Sequence, residues 1–184
     1  TIAPDGSGLR RLTHTPNRNE YGAAWRADGT TIAFMRSRAP FGHGSIWVMD
    51  ADGSDPFRLT AGMDARDPSW SPDGRRIAFT RFTRWGTDIV TVRARDGRGR
   101  ERITSWRSRE FEPAWSPNGR WIAFTRGYEQ GDVGDIWVVN MNTGRARRIT
   151  RGSDYDHQAT WSPDGSTITF ARDRFTVSRI GVAA

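Results

Sequence analysis

A five-residue motif that begins with Trp and ends with Gly recurs four times along the chain. The four tryptophans are 45, 45 and 46 residues apart, so the repeats occupy nearly all of the 184 residues. Self-similarity of this period is typical of proteins that pack one small structural unit against the next. The copies begin at Trp25, Trp70, Trp115 and Trp161 and read WRADG, WSPDG, WSPNG and WSPDG.

Each repeat has the residue pattern of four short β-strands. A first strand ends at the motif Trp, and a β-forming triplet follows seven residues later, as in Ile77-Ala-Phe79. A third strand resembling Ile136–Val139 comes next, and a fourth ends in a pair such as Ile103-Thr104. The Asp-Gly pairs between strands close tight hairpins, and no window has the 3.6-residue apolar period of a helix. We predict an all-β chain, a β-propeller with four repeats that form four-stranded antiparallel blades.

This combination resembles the TolB-like β-propeller repeat, a WD-type repeat with Asp in its first hairpin. The resemblance rests on Trp-Ser-Pro-Asp-Gly, Ile-Ala-Phe, Ile-Trp-Val and an Asp-Gly turn followed by Leu-Thr, and it covers nearly the whole chain. In the departures, Arg26-Ala27 replaces Ser-Pro, Asn118 replaces Asp, and the third strand of the fourth copy is degenerate. The resemblance implies blades around a central channel and a periplasmic or secreted location.

The two ends of the chain carry complementary parts of one blade. The fourth repeat lacks the Asp-Gly to Leu-Thr element, which stands instead at residues 5–13. We therefore expect the segment up to Thr13 to form the outer strand of the blade containing Trp161, closing a single four-bladed ring. The blades would span about residues 14–60, 61–104, 105–150, and 151–184 with 1–13. Two alternatives stay open, because TolB-like rings commonly have more blades: a fragment of a larger ring, or a homo-oligomer whose chains share one ring.

Composition excludes several classes of protein. The chain has no Cys, which removes disulfides, thiolate catalysis and cysteine metal sites. No apolar run approaches the ~18 residues of a membrane span. The three histidines, His14, His43 and His157, lack the spacing of a zinc site, and no Ser lies in a Gly-x-Ser-x-Gly motif. We predict that the chain is not an enzyme and holds no cofactor or metal.

The chain carries a net charge of +7, and its 28 basic residues are all Arg. Clustered Arg is typical of polyanion-binding proteins. Here, however, clusters such as the five arginines of residues 93–102 fall on hairpins between the third and fourth strands, where charge protects exposed edges from pairing. Nucleic acid is therefore not the predicted partner.

Two columns of the repeat place charged groups on one face of the propeller. We call this the top face, where the first strand of each blade begins and the second strand ends. Three of the four residues five before Trp are acidic, and all four residues eleven after Trp are Arg. The loops on the same face add aromatic residues, which are common in protein interfaces. The candidate site residues are Glu20, Glu110, Asp156, His157, Arg36, Arg81, Arg126, Arg172, Trp85 and Tyr128.

Two interpretations of the charged columns follow. In the first, the groups form a polar channel mouth that binds an ion or the charged end of a peptide. In the second, each Arg pairs with a carboxylate of the adjacent blade, because a guanidinium fits a carboxylate in partly buried positions. The second interpretation is favoured, since a repeated Arg at a strand end is what structural pairing would produce.

The predicted function is a non-catalytic interaction scaffold that presents its top face to a protein or peptide partner. The alternative is a carbohydrate- or small-ligand-binding propeller, since related blades form lyases or gate peptidases in the families that the repeat resembles. A half-ring of a larger TolB-like propeller is the third possibility. Fold alone does not decide among them.

Overall fold

The computed structural model describes residues 1–40, 42–106, 108–127 and 133–174, and the backbone of 177–183. Within these residues, fifteen strands form four units of successive antiparallel strands, which we call blades, and one parallel pair, Gly134 with Tyr155, joins the third unit to the fourth. The first blade contains β1 (Asn19–Trp25), β2 (Thr31–Ser37), β3 (Gly44–Asp50) and β4 (Phe57–Arg58). The second contains β5 (Asp64–Trp70), β6 (Arg76–Thr83), β7 (Gly86–Arg93) and β8 (Glu101–Arg102). The third contains β9 (Arg109–Trp115), β10 (Trp121–Gly127), β11 (Gly134–Asn140) and β12 (Ala146–Arg148), and the fourth contains β13 (Tyr155–Trp161), β14 (Ile168–Arg174) and β15 (Val177–Ala183).

The turn between the first and second strands is closed by the motif Asp. The Asp73 carboxylate accepts a hydrogen bond from the backbone N–H of Arg75 at 3.0 Å. Asn118 stands where the other copies have Asp, and its side-chain oxygen accepts from the N–H of Arg120 at the same distance. The departure in the third copy therefore leaves the turn unchanged, because the amide oxygen replaces the carboxylate as acceptor.

A β-bulge interrupts the first strand of every blade. The register of β1 against β2 shifts between Tyr21 and Ala24, and the other three first strands shift at the equivalent place. The residue three positions before the motif Trp has positive φ in all four blades. The angles are 59° at Gly22, 55° at Asp67, 54° at Glu112 and 54° at Gln158. A non-glycine residue is uncommon in this region, so three blades hold a strained backbone at the bulge.

The apolar core lies between neighbouring blades. The triplets Ile77-Ala-Phe79 and Ile122-Ala-Phe124 are fully buried. One cluster joins Ile46 and Val48 of the first blade to residues of the second, and similar clusters join the second to the third and the third to the fourth. Each blade thus buries its apolar side chains against its neighbours, which makes the core continuous along the repeats.

The motif Trp of the second, third and fourth blades forms a hydrogen bond to the preceding blade. The indole N–H of Trp70 donates to the carbonyl of Ala24 at 3.1 Å, and that of Trp161 donates to the carbonyl of Ala114 at the same distance. In the third blade the contact is different, because the backbone N–H of Trp115 donates to Ser69 Oγ at 3.1 Å. Trp25 of the first blade is half exposed.

The N-terminal segment lies on the first blade, and its predicted pairing with the fourth is wrong for the described residues. Residues 1–18 form no strand, and β15 pairs only with β14. Leu12 packs instead against the first-blade cluster, and Thr13 Oγ1 donates to Glu20 at 3.3 Å.

This placement matches that of a fourth strand against the blade that follows it. A Cβ added to Gly53 would meet the carbonyl of Leu12, as one added to Gly97 would meet the carbonyl of Leu59. Arg11 Nε donates to the carbonyl of Thr13 at 2.6 Å, which is the same local contact that Arg102 makes to Thr104 at 2.8 Å. The segment therefore has the position expected of the end of a preceding blade, without the strand pairing that would close the ring.

Candidate functional site

The strand register brings the two charged columns together on the top face. Each acidic position lies directly opposite an Arg of the same blade. The opposed pairs are Glu20 with Arg36, Ala65 with Arg81, Glu110 with Arg126, and Asp156 with Arg172. The arginines and acids thus share a face because the first strand begins where the second strand ends.

Two of these opposed pairs are direct ion pairs. Arg36 Nε donates to Glu20 Oε1 at 2.9 Å. Arg172 holds Asp156 with two hydrogen bonds, from Nε at 2.6 Å and from Nη2 at 2.8 Å. The hydrogen bond to Asp156 raises the pKa of Arg172 above its ordinary value. The expectation that such pairs form between adjacent blades is wrong, because both members belong to one blade.

The other two arginines find different partners. The second blade has Ala65 at the acidic position, and Arg81 Nη2 instead donates to Asp88 Oδ2 at 2.6 Å. Arg126 Nε donates to Ser108 Oγ at 2.8 Å. Its guanidinium carbon lies 4.4 Å from the ring centre of Trp106 and 4.6 Å from that of Trp137, so the cation contacts both indole rings. All four arginines of the column are therefore engaged within the protein.

Glu110 is a fully buried carboxyl group on this face. Ser108 Oγ donates to it at 2.6 Å and Thr104 Oγ1 donates at 3.2 Å. Burial disfavours its charged form and raises its pKa to about 7, against the lowering effect of the two hydroxyl groups and of Arg126. The group is thus divided between its neutral and ionised forms near neutral pH.

The bulge residues form a second set of polar groups, which the candidate list omitted. Thr80 Oγ1 donates to Asp67 Oδ2 at 3.0 Å and accepts from the N–H of Glu112 at 3.0 Å. Glu112 Oε2 in turn accepts from Thr125 Oγ1 and from the N–H of Gln158. Burial raises the pKa of Asp67, and the nearby Glu112 charge raises it further. Carboxylates of neighbouring blades are therefore linked through threonine hydroxyls and backbone N–H groups.

The remaining candidates lie apart from the charged columns. His157 Nε2 lies 3.2 Å from Asp173 Oδ2, and its ring is 5.1 Å from that of Tyr155. Trp85, in the loop between β6 and β7, is 76% exposed, and the Arg84 guanidinium lies 4.7 Å from its ring centre. Tyr128 lies outside the described residues.

The family of the chain is identified by comparing its sequence with models of known protein families. The model of the TolB beta propeller domain matches residues 41–181. The chain belongs to the TolB β-propeller family.

Curated relatives carry the TolB name. The Tol-Pal system protein TolB of Zymomonas mobilis is 35% identical over 68 residues, which is 37% of this chain and 14% of that protein. The protein of the same name in Thioalkalivibrio sulfidiphilus is 33% identical over 112 residues, covering 58% of this chain and 26% of that protein. The chain therefore spans about a quarter or less of the length of these relatives.

Solved structures share the fold at lower identity. The crystal structure of TolB from Acinetobacter baumannii superposes with a TM-score of 0.83 at 22% identity, over 98% of this chain and 44% of that one. An oligogalacturonate lyase in complex with manganese superposes with a TM-score of 0.68 at 17% identity, over 90% of this chain and 48% of that one. At these identities the TolB-type propeller fold is what the superpositions show.

Metal-binding groups and membrane-spanning helices are both absent from the part of the chain that the structure describes. There, no three His, Cys, Asp or Glu side chains come together in a way that could hold a metal ion. No helix among those residues has the length and apolar character needed to cross a bilayer.

Proposed function

We propose that this TolB-type propeller is a non-catalytic interaction module that binds a protein or peptide partner on its top face. The observation that carries the proposal is Trp85, a large aromatic side chain that is 76% exposed on a loop of this face. Trp and Arg are enriched among the residues that dominate protein interfaces, and Arg84 lies against the Trp85 ring. Relatives named for the Tol-Pal system support a role in a multi-protein assembly.

In this proposal the charged columns shape the face and the loops make the contacts. The side chains of Arg36 and Glu20 are only 10% and 21% exposed, and each already satisfies the other. A partner would gain little from groups whose charges are paired within the protein. The exposed rings above them can bury apolar area on binding, which is the larger favourable contribution.

The blade number and the location belong to the same proposal. Among the described residues, the half-exposed Trp25 has no preceding blade beside it, and the outer edge of β15 has no fourth strand. We propose that a preceding blade of one ring covers Trp25 and that a fourth strand completes the last blade, rather than the described strands closing as a four-bladed ring. The likeness to Tol-Pal system proteins supports a periplasmic or secreted location.

The test compares capture of proteins from cell-envelope extract by three immobilised forms of the chain. The native chain should retain a defined set of proteins, identified by mass spectrometry. Trp85→Ala should bind them about tenfold or more weakly, as expected for an interface residue worth about 1.4 kcal/mol or more. Phe57→Ala is the matched control, because it removes an exposed aromatic ring at the start of β4, away from the top face. Equal retention by all three forms would refute the proposed role of this face.

A small-ligand-binding propeller is the competing function. It predicts that an acidic oligosaccharide raises the melting temperature of the isolated chain, since a ligand that binds only the folded state stabilises it. It also predicts that the native chain and Trp85→Ala capture proteins equally, whereas the protein-binding module requires that Trp85→Ala captures fewer. Measuring both quantities separates the two functions.

A further inference from the structure

The first blade lacks a carboxylate that the next two blades use to neutralise an Arg. The position opposite the column Arg on the third strand is Asp88 in the second blade and Asp135 in the third. In the first blade the same register position, opposite Arg36, is Ser45. The sequence thus replaces a buried negative charge by a neutral hydroxyl at one place in the repeat.

The missing charge leaves the fourth-strand Arg of the first blade without an anion. Arg102 Nη2 donates to Asp88 Oδ1 at 2.6 Å, and Arg148 Nη2 lies 2.7 Å from Asp135 Oδ2. Arg58 has the same register position, but its Nε and Nη2 both donate to the single Ser45 hydroxyl, at 3.0 and 2.7 Å. A neutral hydroxyl cannot offset a full positive charge, so the guanidinium stays available to an anion.

A cavity of about 520 Å³ opens beside this Arg on the top face. This volume is in the range that small-molecule sites occupy. Arg18 and Arg38 also line it, and within the described residues neither they nor Arg58 has a carboxylate within ion-pair distance. Trp47 supplies an apolar wall, and the Arg36 guanidinium rests 4.3 Å from its ring centre.

The one carboxylate of the cavity is already engaged. Asp64 Oδ1 accepts from the N–H of Gly44 at 2.9 Å, and Oδ2 lies 2.5 Å from His43 Nδ1. Glu20 offsets the charge of Arg36 from outside the cavity. In the described part of the chain, the positive charges that remain without a carboxylate belong to Arg18, Arg38 and Arg58, and all three line the cavity.

We propose that this cavity is a binding site for an anionic group, a carboxylate or a phosphate, of a ligand of small-molecule size. The anion takes the place that Asp88 and Asp135 occupy in the neighbouring blades and accepts hydrogen bonds from Arg58. Arg18 and Arg38 close over it from the rim. The planar fork of Arg matches both carboxylate and phosphate oxygens. The site does not depend on a protein partner at the top face.

The test restores the repeat's own carboxylate by the substitution Ser45→Asp. Inorganic phosphate and glutarate are titrated separately into the chain at constant ionic strength, with binding followed by calorimetry. The native chain should bind at least one probe saturably, and which one it binds identifies the source of the anion. Ser45→Asp should weaken that binding by about tenfold or more, because the new carboxylate occupies the site. Its melting temperature should rise, because Arg58 gains an ion pair like that of Arg102.

Two further variants make the result decisive. Ser105→Asp adds the same charge at an exposed residue that does not line the cavity, and it should change binding by less than about twofold. Arg58→Gln keeps much of the side-chain length but removes the positive charge, so it should weaken binding of the anion. This result does not depend on whether Ser45→Asp folds. The proposal is overturned if neither probe binds saturably, or if Ser45→Asp or Arg58→Gln binds as tightly as Ser105→Asp.

Discussion

Replacing Glu110 by Gln should remove a pH-dependent loss of stability. In the folded chain the Glu110 pKa is about 7, against an ordinary value of 4.5 that describes the unfolded chain. The folded state therefore holds the proton more tightly. The stability that this proton supplies is complete below pH 4.5 and is lost as the pH rises through 7. At 1.36 kcal/mol per pKa unit, the loss between pH 5 and pH 8 is about 2–3 kcal/mol.

The amide of Gln has the shape of the protonated acid and cannot ionise, so the variant should not lose this stability. The assay is urea unfolding of both proteins at pH 5, 6, 7 and 8, and the quantity compared is the difference in unfolding free energy. Because the other titrating groups are shared, their contributions cancel in that difference. The variant should gain about 2–3 kcal/mol relative to the native chain between pH 5 and pH 8.

Glu20→Gln serves as the control on the same face. It removes a carboxylate that accepts directly from Arg36, and should destabilise the chain at neutral pH by about 1–3 kcal/mol. A difference between native chain and Glu110→Gln that stays constant within ~0.5 kcal/mol across the pH range would refute the reasoning, because it would mean that Glu110 ionises normally when folded.

Three further substitutions test the remaining contacts by thermal or urea unfolding. Arg81→Ala should lower the free energy of unfolding by about 1–3 kcal/mol, because buried Asp88 loses one of its two guanidinium partners. An unchanged free energy of unfolding would mean that the pair contributes nothing to stability. Trp70→Phe should cost about 1 kcal/mol or more through the lost bond to the preceding blade, whereas Trp25→Phe should change stability by less than about 0.5 kcal/mol. Gly22→Ala has room for its Cβ, so its expected cost of about 1–2 kcal/mol comes from positive φ alone, and an unchanged midpoint would contradict this.

The repeat pattern was sufficient to predict the blades and the face on which the charged columns meet. The hairpins are set by local turn residues and the Ile-Ala-Phe strands by burial of apolar side chains. Both recur at the same places in every repeat, so the sequence alone predicts them. The pairing of each Arg was not predictable in this way. Arg36 binds the acid opposite to it, whereas Arg126 binds Ser108 and two indole rings. Which partner each Arg binds depends on the three-dimensional positions of neighbouring side chains, and these cannot be derived from the repeat alignment.

The bulge of the first strand was the main structural feature that sequence reasoning missed. Gly22 gives a hint of positive φ in the first copy, but Asp67, Glu112 and Gln158 occupy the same position and rarely adopt such backbone angles. The tertiary structure imposes this conformation, because the strand bends at the bulge. Likewise, the complementary sequence of the chain ends indicated which element residues 5–13 belong to, but not which strand they would pair with.

The attachment of one blade to another through an indole and a main-chain carbonyl has a consequence for how such proteins grow. A carbonyl is present whatever side chain a residue carries, as the acceptors at Ala24 and Ala114 illustrate. At the two junctions that use this contact, a duplicated copy of the gene segment for one repeat would bring its own indole donor and its own acceptor. Its apolar side chains would still have to pack against those of its neighbours. Side chains outside these contacts are then free to diverge after duplication, so that repeat number and binding specificity can evolve separately.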